Sequence, residues 1–188
     1  MKTGTVINTF TAKDGRRVVL RTPRWEDLDD LMESINSLVE EGADIVRDQK
    51  VARESEADWL GRQLAEIEKG NNFILVAEVD GRVVASADLT KERGYANHVG
   101  DIGIAIKNGY RDIGIGTEML KTLISQAEVM GLMMLVLHVF STNKRAMHVY
   151  KKVGFKETGR IINNYHRNGK FIDDITMVKE LTSASTFL

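Results

Sequence analysis

The residues Arg111-Asp112-Ile113-Gly114-Ile115-Gly116-Thr117 are the first whose types and order could do chemistry. They lie between an apolar run, Ile102 to Ile106, and a periodic segment beginning near Thr117. A strand that empties through glycines into a helix leaves several backbone N–H groups without carbonyl partners, aimed in one direction. Those amides and the positive end of the helix dipole favour an anion, above all a phosphate. Gly114 and Gly116 let phosphate and backbone approach with no Cβ between them, and Arg111 adds a charge that does not titrate. A G-x-G alone also fits an ordinary tight connection; strand–turn–helix order gives it meaning.

One helix and one strand further on comes Asn143-x-x-Ala146-x-x-x-Tyr150-x-Lys152-x-Gly154-Phe155. Tyr150 shares a helix face with Ala146, where it could pack on a sheet or present a phenol to a reacting atom. Asn143 suits a helix N-cap. Asp101 stands near the start of the strand that leads into the glycine turn, either as a solvated strand-end carboxylate or as a base. The four histidines, His98, His138, His148 and His166, are scattered, so no metal is expected. His138, inside an apolar run, reads as a hydrogen-bonded core residue.

Hairpins, helices and one apolar strand must position these groups. Val6 to Thr11 and Arg17 to Thr22 flank Asp14-Gly15, a hairpin turn signal, and Pro23 stops the second strand. Glu26 to Glu41 repeats Leu28, Leu31, Met32, Ile35 and Leu38 at helical spacing. Residues 42–53 are polar and unpatterned, and Glu54 to Lys69 is a second helix stopped by Gly70. Phe73 to Val79 and Arg82 to Leu89 turn at Asp80-Gly81, and Val99 to Ile106 extends the meander. After the glycine turn, Met119 to Met130 is a helix. Leu132 to Phe140 reads as a strand buried on both faces. Asn143 to Lys152 is a short helix, and Lys156 to Tyr165 with Lys170 to Val178 is a hairpin turning at Asn168-Gly169. The order predicts an α/β chain of the α+β type: a mixed, mostly antiparallel central sheet with helices on both faces.

The chain has 188 residues, a net charge of −1 and no cysteine. One domain over 1–181 is expected, with an extra N-terminal hairpin strand at 4–11 and a flexible tail at 182–188. The balanced charge argues against a nucleic-acid partner, and no apolar run reaches membrane-spanning length. No signal segment is visible, so a cytoplasmic location is expected. Without cysteine there is no thiolate metal site, disulfide or cysteinyl nucleophile.

Taken together, three pieces make the chain resemble a GCN5-related N-acetyltransferase (GNAT): Arg111-x-x-Gly114-x-Gly116, the Leu132–Phe140 strand, and the Asn143–Phe155 run. The resemblance covers roughly residues 17 to 178 and implies the acyl-CoA acyltransferase fold with splayed parallel strands. It implies acetyl-CoA as co-substrate, its pyrophosphate on the amides of Asp112, Ile113, Gly114, Ile115, Gly116 and Thr117, with Arg111 assisting. Ile104, Ala105 and Ile106 would run along the pantetheine arm, and a backbone amide there would polarise the thioester carbonyl. Asn143 would bind the arm or the opposing backbone, and Tyr150 would protonate the leaving thiolate. Lys152 and Arg145 would flank the 3′-phosphate. Small members of the family often form homodimers.

The acceptor implied is a primary amine, which attacks the thioester directly within a single complex. An alkyl ammonium of pKa about 10.4 is neutral in only about one molecule in a few thousand at pH 7, so a base is needed. Asp101 is the first choice, because His98-Val99-Gly100-Asp101-Ile102-Gly103-Ile104 resembles family members that acetylate amino acids or terminal amines; Glu78 and His98 are alternatives. The acceptor region, from Trp25 to residue 53 with the last hairpin, carries Glu33, Glu40, Glu41 and Asp44, which suits a cation. A small amine (amino acid, polyamine or related) and a protein N-terminus or lysine both remain open. So does a non-catalytic acyl-CoA-binding regulatory module. A P-loop or dinucleotide protein would need a Lys-Ser/Thr after the glycines, which is missing here.

Overall fold

Turn chemistry sets the strand pairing. Asp80-Gly81 and Asn168-Gly169 both take left-handed backbone at both residues, the two-residue turn that matches strand twist. In the computed structural model, which describes residues 2–70 and 72–181, they join β3 (Asn72–Val79) to β4 (Arg82–Lys91) and β7 (Lys156–Arg167) to β8 (Lys170–Glu180). The other strands are β1 (Val6–Thr11), β2 (Arg17–Arg21), β5 (Val99–Ile106) and β6 (Met134–Phe140). Together they form one eight-stranded sheet in the order β1-β2-β3-β4-β5-β6-β8-β7. Every neighbour pair is antiparallel except β5–β6. The expected mixed, mostly antiparallel sheet is therefore the one observed. The predicted tail, Thr182 to Leu188, lies outside the described residues.

The helices are α1 (Leu28–Glu40), α2 (Arg53–Lys69), α3 (Ile115–Val129) and α4 (Lys144–Lys152). Strand alternation divides the sheet into two faces. One face, with Leu75, Ala77, Ala85, Ala87, Leu89, Ile102, Leu135, Leu137 and Val139, packs on Met119, Leu120 and Leu123 of α3 and Met147 and Tyr150 of α4. The other face meets α1 and α2 through Leu28, Leu31, Leu60, Val76 and Val83. This second face is apolar only near β3 and β4. Further along it carries Ser86, Asp88, Asp101, Ala105, His138 and Asp174, because each faces a register partner of the same parity.

The expectation for β6 needs correction. Leu132 to Phe140 is not buried on both faces: Leu135, Leu137 and Val139 are buried, while Val136 is half-buried and His138 is exposed. The apolar run hid an alternation, since Met134 and Val136 tolerate a partly open face. His138 is accordingly not a core residue.

Candidate active site

The parallel pairing of β5 with β6 is short. Only Val99, Gly100 and Asp101 find partners, at Met134, Leu135 and Val136. Beyond Asp101 the strands part: β5 stays on β4 as far as Ile106, and β6 stays on β8 as far as Phe140. The edge of Ile102–Ile106 that looks toward β6 is therefore an unpaired strand edge inside the sheet, available to an extended ligand. Ile104 and Ile106 turn their side chains toward α3, and Ala105 turns its own toward the α1 side. The three expected arm residues thus lie together along this gap.

The glycine turn closes one end of the gap. The first helical bond of α3 runs from the Glu118 N–H to the Gly114 carbonyl, so the amides of Ile115, Gly116 and Thr117 precede the ladder and stay available. Asp112 (φ 65°) and Gly114 (φ 102°) both have positive φ while Ile113 between them does not, an alternation of the kind that curls successive amides into an anion-binding concavity. At Gly116 a Cβ would come within 3.0 Å of Ile106 Cδ1, so the missing side chain lets α3 lie against β5. The β1–β2 turn braces this loop: the Lys13 N–H donates to the Ile113 carbonyl at 3.0 Å, and Arg16 donates to the Gly109 carbonyl at 2.8 Å.

The cations near the turn have other partners. Arg111 donates through Nε to the Ile106 carbonyl at 2.8 Å and pairs with Glu41, so it ties the end of β5 to the end of α1. Arg145, at the start of α4, pairs with Asp112 at 2.7 Å and offsets a carboxylate that would repel a phosphate. Lys152 sits at the far end of α4, beside Lys121, Ile124 and Ser125 of α3, over a helical turn from the loop. Asn143 is the N-cap of α4: its Oδ1 accepts the Ala146 N–H at 3.1 Å, which leaves its amide NH2 for another acceptor.

Tyr150 reaches the gap from the α3–α4 face. It is 7% exposed, packs edge-on against Phe155, and its hydroxyl has no hydrogen-bond partner among the described residues. Burial pushes its phenol up to about 12.

The carboxylates lie on the opposite face. Asp101 makes no hydrogen bond or ion pair among the described residues. Its carboxyl is raised, by burial first; the charge of His138 opposes the rise and that of Glu92 adds to it. Asp88, on β4, leans over Gly103, where a Cβ would stand 2.9 Å from its Oδ1. Burial, then the nearby Asp101, pushes Asp88 to about 6. Asp88 escaped the sequence reading because only the β4–β5 register brings it beside Asp101. Of the alternatives, Glu78 is held by Arg21 at 2.8 Å and Arg24 at 3.2 Å, and His98 is an exposed residue at the paired end of β5, away from the gap.

A cleft of about 390 Å³ opens on this face over Ser86 and Ala105. Leu31, Ile35, Leu38, Val51 and Trp59 give it apolar walls, and Arg47, Arg62 and Glu56 bring charge. Burial raises the Glu56 carboxyl, with Arg47 opposing. The acidic acceptor region expected from the sequence is neutralised. Glu33 pairs with Lys107 and Arg82, Glu40 with Lys50, Glu41 with Arg111 and Asp44 with Arg167. By contrast, Arg47 and Arg62 form no ion pair among the described residues.

Comparison with known proteins is consistent with this layout. An N-alpha-acetyltransferase from Sulfurisphaera tokodaii is 35% identical over 107 residues, covering 50% of this chain and 62% of the relative. The L-amino acid N-acetyltransferase AaaT of Escherichia coli is 30% identical over 107 residues, covering 56% of this chain and 66% of the relative. The matches thus span under two thirds of these relatives' lengths. A GNAT-superfamily phosphinothricin acetyltransferase from Sinorhizobium meliloti, solved with AcCoA, has the same fold at a TM-score of 0.80 and 17% identity, covering 91% of this chain and 92% of that one. The family model described as "Acetyltransferase (GNAT) family" matches residues 32–155, which contain most of α1, the gap, the glycine turn and α4, and the chain belongs to that family.

Proposed function

We propose that the protein is an acetyl-CoA-dependent N-acetyltransferase that moves an acetyl group directly to the primary amine of a small amino acid. The observation that carries the reading is the gap between β5 and β6. It has an amide-lined turn at one end, a buried phenol on one face and unpaired carboxylates on the other.

The turn amides from Asp112 to Thr117 hold the pyrophosphate, and the free edge of β5 pairs with the pantetheine arm and supplies an N–H to the thioester oxygen. The amine enters from the cleft side, where Asp101 takes its proton in the simplest scheme. Tyr150 donates to the departing sulfur. A phenol at about 12 is about 3.5 units weaker than an ordinary thiol near 8.5, an uphill transfer of about 5 kcal/mol to a solvated thiolate. In the dry gap the same burial raises the sulfur anion, so Tyr150 acts first as a hydrogen-bond donor and transfers its proton as the C–S bond breaks.

Neutralisation of Glu33, Glu40, Glu41 and Asp44 weakens the case for a polyamine, and the unpaired Arg47 and Arg62 support an acceptor with a carboxylate. The test is release of free thiol from acetyl-CoA with a panel of L-leucine, L-methionine, spermidine and a short peptide. Turnover should favour the amino acids, and Arg47→Ala with Arg62→Ala should raise their KM about tenfold or more. Preference for spermidine or the peptide would refute the acceptor class. Acetyl-CoA binding with no turnover of any amine would point to a regulatory module instead.

A further inference from the structure

A histidine and a buried aspartate share the carboxylate face, and nothing so far uses them. His138 lies on β6 two residues past Val136, the last residue paired with β5, so it borders the open gap. Its side chain is 47% exposed, while that of Asp174 on β8 is 5% exposed. Asp174 Oδ2 stands 2.9 Å from His138 Nδ1. With the carboxylate ionised, Nδ1 must donate, which leaves Nε2 as a free acceptor at the gap. The other oxygen of Asp174, Oδ1, is buried with no hydrogen-bond partner among the described residues. A buried carboxylate whose one well-formed side-chain hydrogen bond goes to an imidazole, with the Tyr165 phenol beside it, asks for a reason. Orienting an imidazole is such a reason.

We propose that His138, oriented by Asp174, is the base that takes the proton from the acceptor ammonium. The assignment rests on the transferase reading above. Nε2 accepts one proton from R–NH3+, and the freed amine attacks the thioester carbon. The N–C bond forms and the C–S bond breaks, the sulfur leaving with the electron pair. The sulfur takes a proton from Tyr150, and the surplus proton on the new amide nitrogen restores Tyr150. His138 then releases its proton to solvent, so one proton is released per turnover. His138 suits this work better than Asp101, because Asp174 holds Nδ1 and leaves the Nε2 lone pair on the exposed side of the ring. Asp101 keeps a part, since its charge across the gap favours the imidazolium that forms.

The groups around His138 are few. Asp101 and Glu92 lie toward β5, Asp88 behind them on β4, and Asp174 on β8. Tyr165 of β7 stacks on Phe140 at 4.2 Å, and its phenol is raised by burial and by Asp174. From the loop above, Asp44 is occupied by Arg167 at 2.6 Å and Thr142 at 3.0 Å.

The test uses His138→Gln and Asp174→Asn with the amine that the parent turns over fastest in the panel. Exposure of His138 predicts a folded His138→Gln variant. Its kcat should fall about 100-fold or more, with KM for acetyl-CoA within about twofold, and the acidic limb of kcat/KM should vanish. Asp174→Asn should lower kcat by about tenfold or more. It should also abolish the Nδ1–H tautomer that two-bond 1H–15N NMR spectra of the parent are expected to show for His138. A His138→Gln enzyme that keeps both kcat and the acidic limb, while Asp101→Asn loses them, would overturn the assignment and leave the transferase reading intact. Parent protein that turns over no amine would overturn both.

Discussion

Asp88 shows what holding a single carboxyl in a buried place costs. Its folded value of about 6 lies above the ordinary 3.8, so folding favours the protonated form. That contribution is complete below the unfolded value and is lost as pH rises through about 6, a penalty of about 3 kcal/mol at pH 7 to 8. Asp88→Asn should therefore be more stable than the parent at pH 7.5, with the gap closing toward pH 4, as read by urea midpoints. Tyr150 is the converse case, because raising a phenol only secures the protonated form that the proposed donor role uses. Tyr150→Phe should lower kcat about 100-fold with little change in KM for acetyl-CoA, and the parent should show no alkaline loss from this group below about pH 11. Tyr150 was legible because it sits in a run of fixed spacing. Asp88 and His138 were not, because their meaning lies in cross-strand register. Alternation in Ser86-Ala87-Asp88 says only that Asp88 faces away from Ala87.

Among elements, the glycine turn carries the sharpest expectation. Gly114 is left-handed at φ 102°, a conformation that costs an L-residue about 1 to 2 kcal/mol. Gly114→Ala should lower Tm by several degrees and raise the acetyl-CoA Kd in calorimetry; unchanged binding would place the pyrophosphate elsewhere. Helices and hairpins were readable because their stops are local: Gly70 ends α2 in a left-handed cap, and Asn143 starts α4. Length of the parallel pairing was not readable. Nothing in Val99–Ile106 or Met134–Phe140 marks Asp101 and Val136 as the last partners. Nor could the acidic residues around α1 reveal their neutrality, since Lys107, Arg82, Arg111 and Arg167 reach them from distant segments.

Across the whole molecule, ion pairs join the first third of the chain to the rest, and two of them carry most weight. Arg21 is buried and meets Asp27 at 2.7 Å and Glu78 at 2.8 Å, which ties β2 and β3 to the entrance of α1. Asp27→Ala would leave the buried guanidinium with Glu78 as its remaining carboxylate partner and should cost up to about 3 to 5 kcal/mol in urea unfolding. Arg167, reaching from the last hairpin, donates to the carbonyls of Gly42 and Ala43 and pairs with Asp44, so the last hairpin holds the start of this loop. The parting of β5 and β6 has a further result for how the proposed reaction would cycle. An aperture through a sheet, entered by acyl donor and amine from different sides as proposed, would give each product its own exit. The acetylated amine would then depart while CoA is still seated. Steady-state kinetics should then show CoA competing with acetyl-CoA, the N-acetyl product competing with the amine, and neither substrate obliged to bind first.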